Sequence, residues 1–365
     1  MAPSNADHAR ALDDLLTTTL AALTQFTTFL TPDGPSTATP EPIQDPPHPL
    51  HVLRDSALLV KAHTTKLSLL AINKPFTPSA IAKVLQQLSA TCLPAMMSAV
   101  QICSQEKAVW GELMAREVQS RVRRVFREME TLLRELQSIA QGGAGRRGGG
   151  GRRDSLSSTG VLWESCDALV ELDRLGLPGL AVQKAEQYRD TLKDAIEELK
   201  EWAEGEDPDT EGQDELLDGE DEGVDGDRES VEDIFHAANS MPSDRPELKR
   251  LVEEADRKLK KIVLLYTAVI KRRLKTFKPS SDEAEKGGPS NVLRLDESMQ
   301  SLKRIPHQVD ELASCFYDLD EARVKEMLQK CVSEAKKARG AVVKSWTDEE
   351  DEFTAWSAKW LEAVG

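Results

Sequence analysis

Aromatic residues are scarce in this chain, at 5% of 365 residues. Sheet cores draw heavily on aromatic and β-branched side chains, so the shortage points to a core of Leu, Ala, Val and Ile and to helix-on-helix packing. Cysteine is scarce as well. Cys92, Cys103, Cys166, Cys315 and Cys331 are odd in number, show no C-x-x-C spacing and lie in stretches of helical periodicity. They read as reduced core residues of an intracellular protein, not as a disulfide framework or a thiolate metal site. No apolar run approaches the ~18 residues of a membrane span, and the N-terminal segment lacks a basic stretch followed by a continuous apolar one. The expected location is the cytoplasm and nucleus, without membrane association.

Catalytic signatures are missing too. There is no H-E-x-x-H, G-x-S-x-G or G-x-G-x-x-G, and His8, His48, His51, His63, His236 and His307 are scattered without metal-ligand spacing. His63 falls beside the apolar stripe of its helix, where a hydrogen-bonded histidine at the core edge is expected. The glycine run from Gly142 to Gly151 lacks the terminal Gly-Lys-Ser/Thr of a phosphate-binding loop and reads as a linker. These absences lead to the expectation of a non-enzymatic protein without cofactor or metal.

What is present is charge, concentrated in one place. The formal net charge is -16, and residues 204–233 hold 16 acids against one base, Arg228, so the remaining chain is close to neutral. That balance disfavours direct nucleic-acid binding. Asp218, Glu220, Glu222, Gly223 and Glu229 fall on positions of a calcium-loop template. Glu in place of Asp at two of those positions, and the lack of a close preceding helix, favour a solvated acidic loop.

Elsewhere the apolar pattern is helical, with Leu12, Leu16, Leu20 and Leu23 in a first stripe and Leu53, Ala57, Val60, Thr64 and Leu67 in a second. Thr77-Pro78 opens a third helix, which Pro94 is expected to kink. A fourth carries Val118, Val122, Val125, Met129, Leu132 and Leu136 up to the glycine run. Two pieces follow, Val161 to Leu175 and Leu180 to Trp202, separated at Gly176. After the acidic run, Asp244-Pro246 opens a helix striped by Leu248, Leu251, Ala255, Leu259, Ile262 and Tyr266. The remaining helices are expected around Met299 to Tyr317, interrupted at Pro306, then Glu321 to Arg339 and Ser345 to Val364.

Short loops between long amphipathic helices make neighbours antiparallel. The fold class is therefore all-α: an N-terminal helical bundle over 1–203 with a flexible Gly/Arg linker at 142–158, an acidic loop over 204–230, and a C-terminal helical bundle over 231–365. Ser155, preceded by Arg152 and Arg153, is a phosphorylation candidate. Arginines 116, 121, 123, 124, 127 and 134 form one basic helix face. Lys271, Arg272, Arg273 and Lys275 form another, read as a docking face for an acidic partner or for the acidic run itself.

The residues Val161-Leu162-Trp163-Glu164-Ser165-Cys166-Asp167, with the Val182 to Trp202 helix and the acidic loop after it, resemble the cyclin-D-binding protein family. Arg257-Lys258-Leu259-Lys260-Lys261-Ile262, Val309-Asp310-Glu311-Leu312-Ala313 and Tyr317 extend the resemblance. It implies a vinculin/α-catenin-like helical fold and a cell-cycle or transcription regulator that binds cyclin-type or helix-loop-helix proteins. Helical bundles also expose grooves suited to a partner's amphipathic helix. The competing reading is an enzyme or small-molecule-binding protein with a site between helices.

Overall fold

The computed structural model describes residues 5–31, 45–141, 151–204, 241, 245–278 and 291–365, with the side chains of 5 and 151–157 excepted. Every regular element among them is helical, as the apolar spacing requires. The chain forms two compact units, Met1–Leu180 and Ala181–Gly365.

The first unit contains α1 (Asn5–Phe29), α2 (Pro49–Ile72), α3 (Pro78–Gln87), α4 (Leu93–Gln105), α5 (Lys107–Ala140) and the first part of α6 (Gly151–Glu204). Leu12, Leu16 and Leu23 of α1 face Val122, Phe126 and Met129 of α5 in a core from which water is excluded. The pairing is antiparallel: Gln137 donates to Asp13, Thr24 to Glu130, and Gln119 to the Thr31 carbonyl. The expected kink at Pro94 is absorbed as a π turn over Leu88–Cys92. Proline has no N–H to give the carbonyl four residues back, so the preceding turn widens. Thr77 precedes α3 as expected, but its hydroxyl donates to the Pro75 carbonyl and caps no N–H.

Gly176, at φ 59° and ψ −171°, breaks α6 where the sequence places a gap. That region is open only to glycine, because a Cβ would clash with the peptide on either side. Gly176→Ala is therefore expected to cost about 1–3 kcal/mol. Gly160, a helical glycine with nothing within 4 Å of a Cβ built on it, should behave in the opposite sense, gaining about 0.5–1 kcal/mol as alanine. Urea denaturation of the two variants tests both signs.

The division of the chain follows this break. The sequence reading assigns residues 181–203 to the first bundle, whereas the compact units place everything from Ala181 onward in the second. Within that unit Trp202 packs at a tilt against Phe316 and edge-to-face with Tyr317, its carbonyl accepts from the Met241 N–H, and Glu186 pairs with Lys275.

The second unit adds α7 (Pro246–Arg272), α8 (Asn291–Tyr317), α9 (Glu321–Ala341) and α10 (Glu352–Val364). Pro306 does not interrupt α8, which runs through it. The Tyr266 hydroxyl donates to the Leu302 carbonyl between α7 and α8, and burial pushes that phenol's pKa far up. The last helix starts at Glu352, not near Ser345. Two arginines hold the segment before it, a run of turns and bends. Arg294 donates to the carbonyls of Ala341, Lys344 and Ser345, and Arg273 to those of Val342 and Val343. Asp351 then caps α10 by accepting from the Thr354 N–H, in a capping box.

All five cysteines are free and buried, and burial pushes the thiols of Cys103, Cys166 and Cys331 up to about 12. Protonated sulfur of this kind is a poor nucleophile, in keeping with their reading as core residues.

Candidate partner-binding face

α2 carries two faces with different chemistry. Its buried stripe, Leu53, Ala57, Val60, Thr64 and Leu67, packs toward α3 and α4. Its flank toward α6 is fastened by polar pairs in antiparallel order. Arg54 donates to Asp173 at 3.0 Å, Lys61 to Asp167, Trp163 Nε1 to the Thr64 hydroxyl at 3.2 Å, and Ser68 shares a hydrogen bond with Thr159 at 2.7 Å. Held on two sides, the helix turns a third side outward.

That outward side is apolar. Leu58, Ala62, Thr65 and Leu69 recur at i, i+4, i+7 and i+11, with Leu59 alongside, and the three leucines are 49%, 55% and 49% exposed for Leu58, Leu69 and Leu59. Single exposed leucines are ordinary, but three on one helix face form a strip of the kind that marks protein contacts. Among the polar side chains bordering the strip, Asp55 and Lys66 are exposed, and His63 has Nδ1 buried without a hydrogen-bond partner among the described residues. The expectation of a hydrogen-bonded core-edge histidine is corrected there. Burial, then the charge of Lys66, keeps the His63 imidazole below its usual pKa, so it stays neutral.

The N-terminal end of α2 gathers a second group. His48, the N-cap residue, stacks on His51 with ring centroids 4.0 Å apart and meets the edge of Trp110 at 4.9 Å. Asp173 of α6 stands 3.7 Å from His51 Nε2 while its other oxygen takes Arg54. Burial, then His51, holds His48 below the usual imidazole range. The sequence reading saw no metal-ligand spacing among the histidines. The H-x-x-H of one helical turn was visible, but the carboxylate comes from α6 and could be found only in the fold.

The basic residues singled out from sequence divide. Arg273 is 1% exposed, so it belongs to no docking face. It points inward because the end of α7 turns its side chain under the segment 342–351, where the Asp351 carboxylate and the Val342 and Val343 carbonyls receive it. Arg272 pairs with Glu352 and Lys275 with Glu186 on the surface, and Lys271 is exposed. On α5, Arg116, Arg121 and Arg134 pair with acids four residues earlier, and Arg124 with Glu164 of α6, so much of that face is neutralised within the unit. Ser155 has no described side chain; of the acidic loop over 204–230 only Glu204 is described, as the end of α6, and 205–230 with the calcium-template residues, like residues 142–150 of the linker and Asp244, lie outside the described residues. The exposed strip on α2 went unmarked in the sequence because Leu58, Leu59 and Leu69 sit beside a buried stripe of similar composition; only the surplus of leucine over what one stripe needs signalled it.

Residues 52–205 match the family model described as Grap2 and cyclin-D-interacting, N-terminal. The chain is also 26% identical over 325 residues, 86% of its own length and 83% of the relative's, to an uncharacterized protein of Schizosaccharomyces pombe. The matched segment begins within the first turn of α2 and contains its exposed strip and the α6 residues that clamp it.

Proposed function

We propose, from the match of residues 52–205 to the Grap2 and cyclin-D-interacting family model, that this chain is a non-enzymatic scaffold that binds cyclin-type proteins through the outward face of α2. The observation that carries the reading is the strip of Leu58, Leu59 and Leu69 on a helix fastened on its other sides. A rigid helix with an apolar face is suited to lie in a groove or beside a helix of a partner, with anchors at i, i+4 and i+11. Because the strip is already ordered in the free protein, docking costs little conformational entropy. Helix-loop-helix regulators, whose own helices are amphipathic, fit the same face, and a role in cell-cycle or transcriptional control follows from either partner.

The test is binding of the purified chain to a D-type cyclin, with the double variant Leu58→Asp/Leu69→Asp. Placing two carboxylates in the strip is expected to weaken binding about 30-fold or more, the scale of a lost hot spot, with the helical circular dichroism spectrum unchanged. Full affinity in the double variant would move the site off α2. No affinity in the unmodified chain would remove the cyclin reading itself.

A further inference from the structure

We propose that His48, His51 and Asp173 form a binding site for a divalent transition-metal cation of the zinc class. Among the described residues this is the one group of His, Cys, Asp or Glu side chains whose ligand atoms come together, all within 4.8 Å of one another. Zinc is held by imidazole nitrogen and carboxylate oxygen at about 2.0–2.2 Å. Ligand atoms around such an ion stand somewhat closer than those here, and a ligated ion lies in the plane of each imidazole, so one imidazole turns out of the His48–His51 stack to complete the shell. Two imidazoles with one carboxylate are a donor set that selects zinc, copper or nickel over the oxygen-seeking magnesium and calcium.

The surroundings have the features that support ligands. Asp173 has a side chain only 13% exposed, and Arg54 holds one of its oxygens at 3.0 Å, leaving the other directed at His51 Nε2. This is the outer contact that orients a ligating carboxylate. Arg54 is also paired with Asp55 at 2.9 Å, so two carboxylates stand against this one guanidinium. The edge of Trp110 fixes the plane of the His48 ring. The His48 Nδ1 contact with the His51 N–H is long at 3.4 Å, so either ring nitrogen can turn to the ion at small cost. Both imidazoles are open to solvent, which provides an entry path, and three protein ligands leave a fourth position for water. A bound ion would tie the first turn of α2 to α6, fastening the same helix that Arg54, Lys61 and Thr64 hold further along. The site stands on its own geometry and is independent of the partner proposed above.

Isothermal titration of the full chain with zinc chloride, in a buffer free of chelators, is expected to give one site per chain. Substitution of cobalt should give the visible absorption of a four-coordinate ion. His51→Gln and Asp173→Asn are each expected to weaken zinc binding about tenfold or more, and His48→Asn, which keeps a helix-capping side chain while removing the imidazole, should do the same. His307→Gln, at a solvent-facing histidine elsewhere, should change nothing. Circular dichroism checks that each variant is folded, and His48→Asn remains informative should Asp173→Asn disturb the Arg54 contact. Absence of binding at 100-fold molar excess of zinc over chain, or binding that the three ligand variants leave unaltered, overturns the proposal.

Discussion

Replacing Arg273 by alanine is expected to destabilise the C-terminal unit by about 3 kcal/mol or more, since a hydrogen bond to a charged group contributes about 1.5–3 kcal/mol and stranding a buried acceptor costs about 1–3 kcal/mol. All five of its N–H groups are used. Nε donates to the Val342 carbonyl at 2.8 Å, and Nη1 to the Arg272 carbonyl and to Asp351 Oδ2 at 2.7 Å. Nη2 donates to the Val343 carbonyl and to Asp351 Oδ1 at 2.8 Å. The guanidinium carbon also lies 4.3 Å from the centre of the Phe353 ring. Alanine would strand several acceptors at once and open a hole under the entry to α10. Lysine would keep the charge but cannot present the planar fork, so Arg273→Lys should recover only a minor part of the loss. Arg272→Ala, which removes an exposed pair with Glu352, should stay within about 0.5 kcal/mol. Guanidinium unfolding of the three variants decides the matter, and equal small losses for Arg272 and Arg273 would refute the keystone role. The same pair sets an acid limit. Its hydrogen bonds from Arg273 hold the Asp351 carboxyl well below its ordinary value of 3.8. A depressed carboxyl stabilises the fold above that ordinary value, and the contribution is lost as pH falls below it. Unfolding midpoints measured between pH 7 and pH 2.5 should therefore fall in the unmodified chain and be flatter in Arg273→Ala.

Phe126→Ala is expected to cost about 3–5 kcal/mol in the N-terminal unit, the scale of emptying a buried aromatic site. Phe126 is fully buried on α5, with its ring 5.9 Å from that of Phe26 on α1. The helices around it are held by Leu16, Leu23, Val122 and Met129, all without exposure, so the space cannot close by a simple side-chain turn. The contrast with α2 separates stability from binding. Leu69→Asp changes an exposed residue and should shift unfolding by no more than about 0.5 kcal/mol, while it weakens partner binding. Phe126→Ala should do the reverse at temperatures where the unit remains folded. Paired unfolding and binding measurements on these two variants check both halves of the statement. A Phe126→Ala protein as stable as the parent would mean that the α1–α5 contact is not a core.

The helices and their inward faces were legible from local pattern alone. Leu53, Ala57, Val60, Thr64 and Leu67, or Leu248, Leu251, Ala255, Leu259 and Ile262, repeat at the helical period and are buried as that period demands. So was the break at Gly176, because glycine acts on its own backbone, whereas the kink expected at Pro94 is a widened turn ahead of it and Pro306 leaves α8 unbroken. The family resemblance was carried by short segments of the same kind. Other properties depended on which distant residues meet. A cationic cluster in the sequence does not tell a surface arginine from a buried one. Arg273 became internal because residues 342–351, about 70 positions on, bring it carbonyls and a carboxylate. The helical period continues past Ser345, yet α10 begins only at Glu352, since Arg273 and Arg294 draw the intervening carbonyls out of a helix. The outward leucines of α2 and the meeting of His48, His51 and Asp173 were likewise decided by packing. Local sequence sets which backbone shapes are low in energy; which faces are left to solvent, and which charges find each other, is set by long-range contacts that only the folded chain contains.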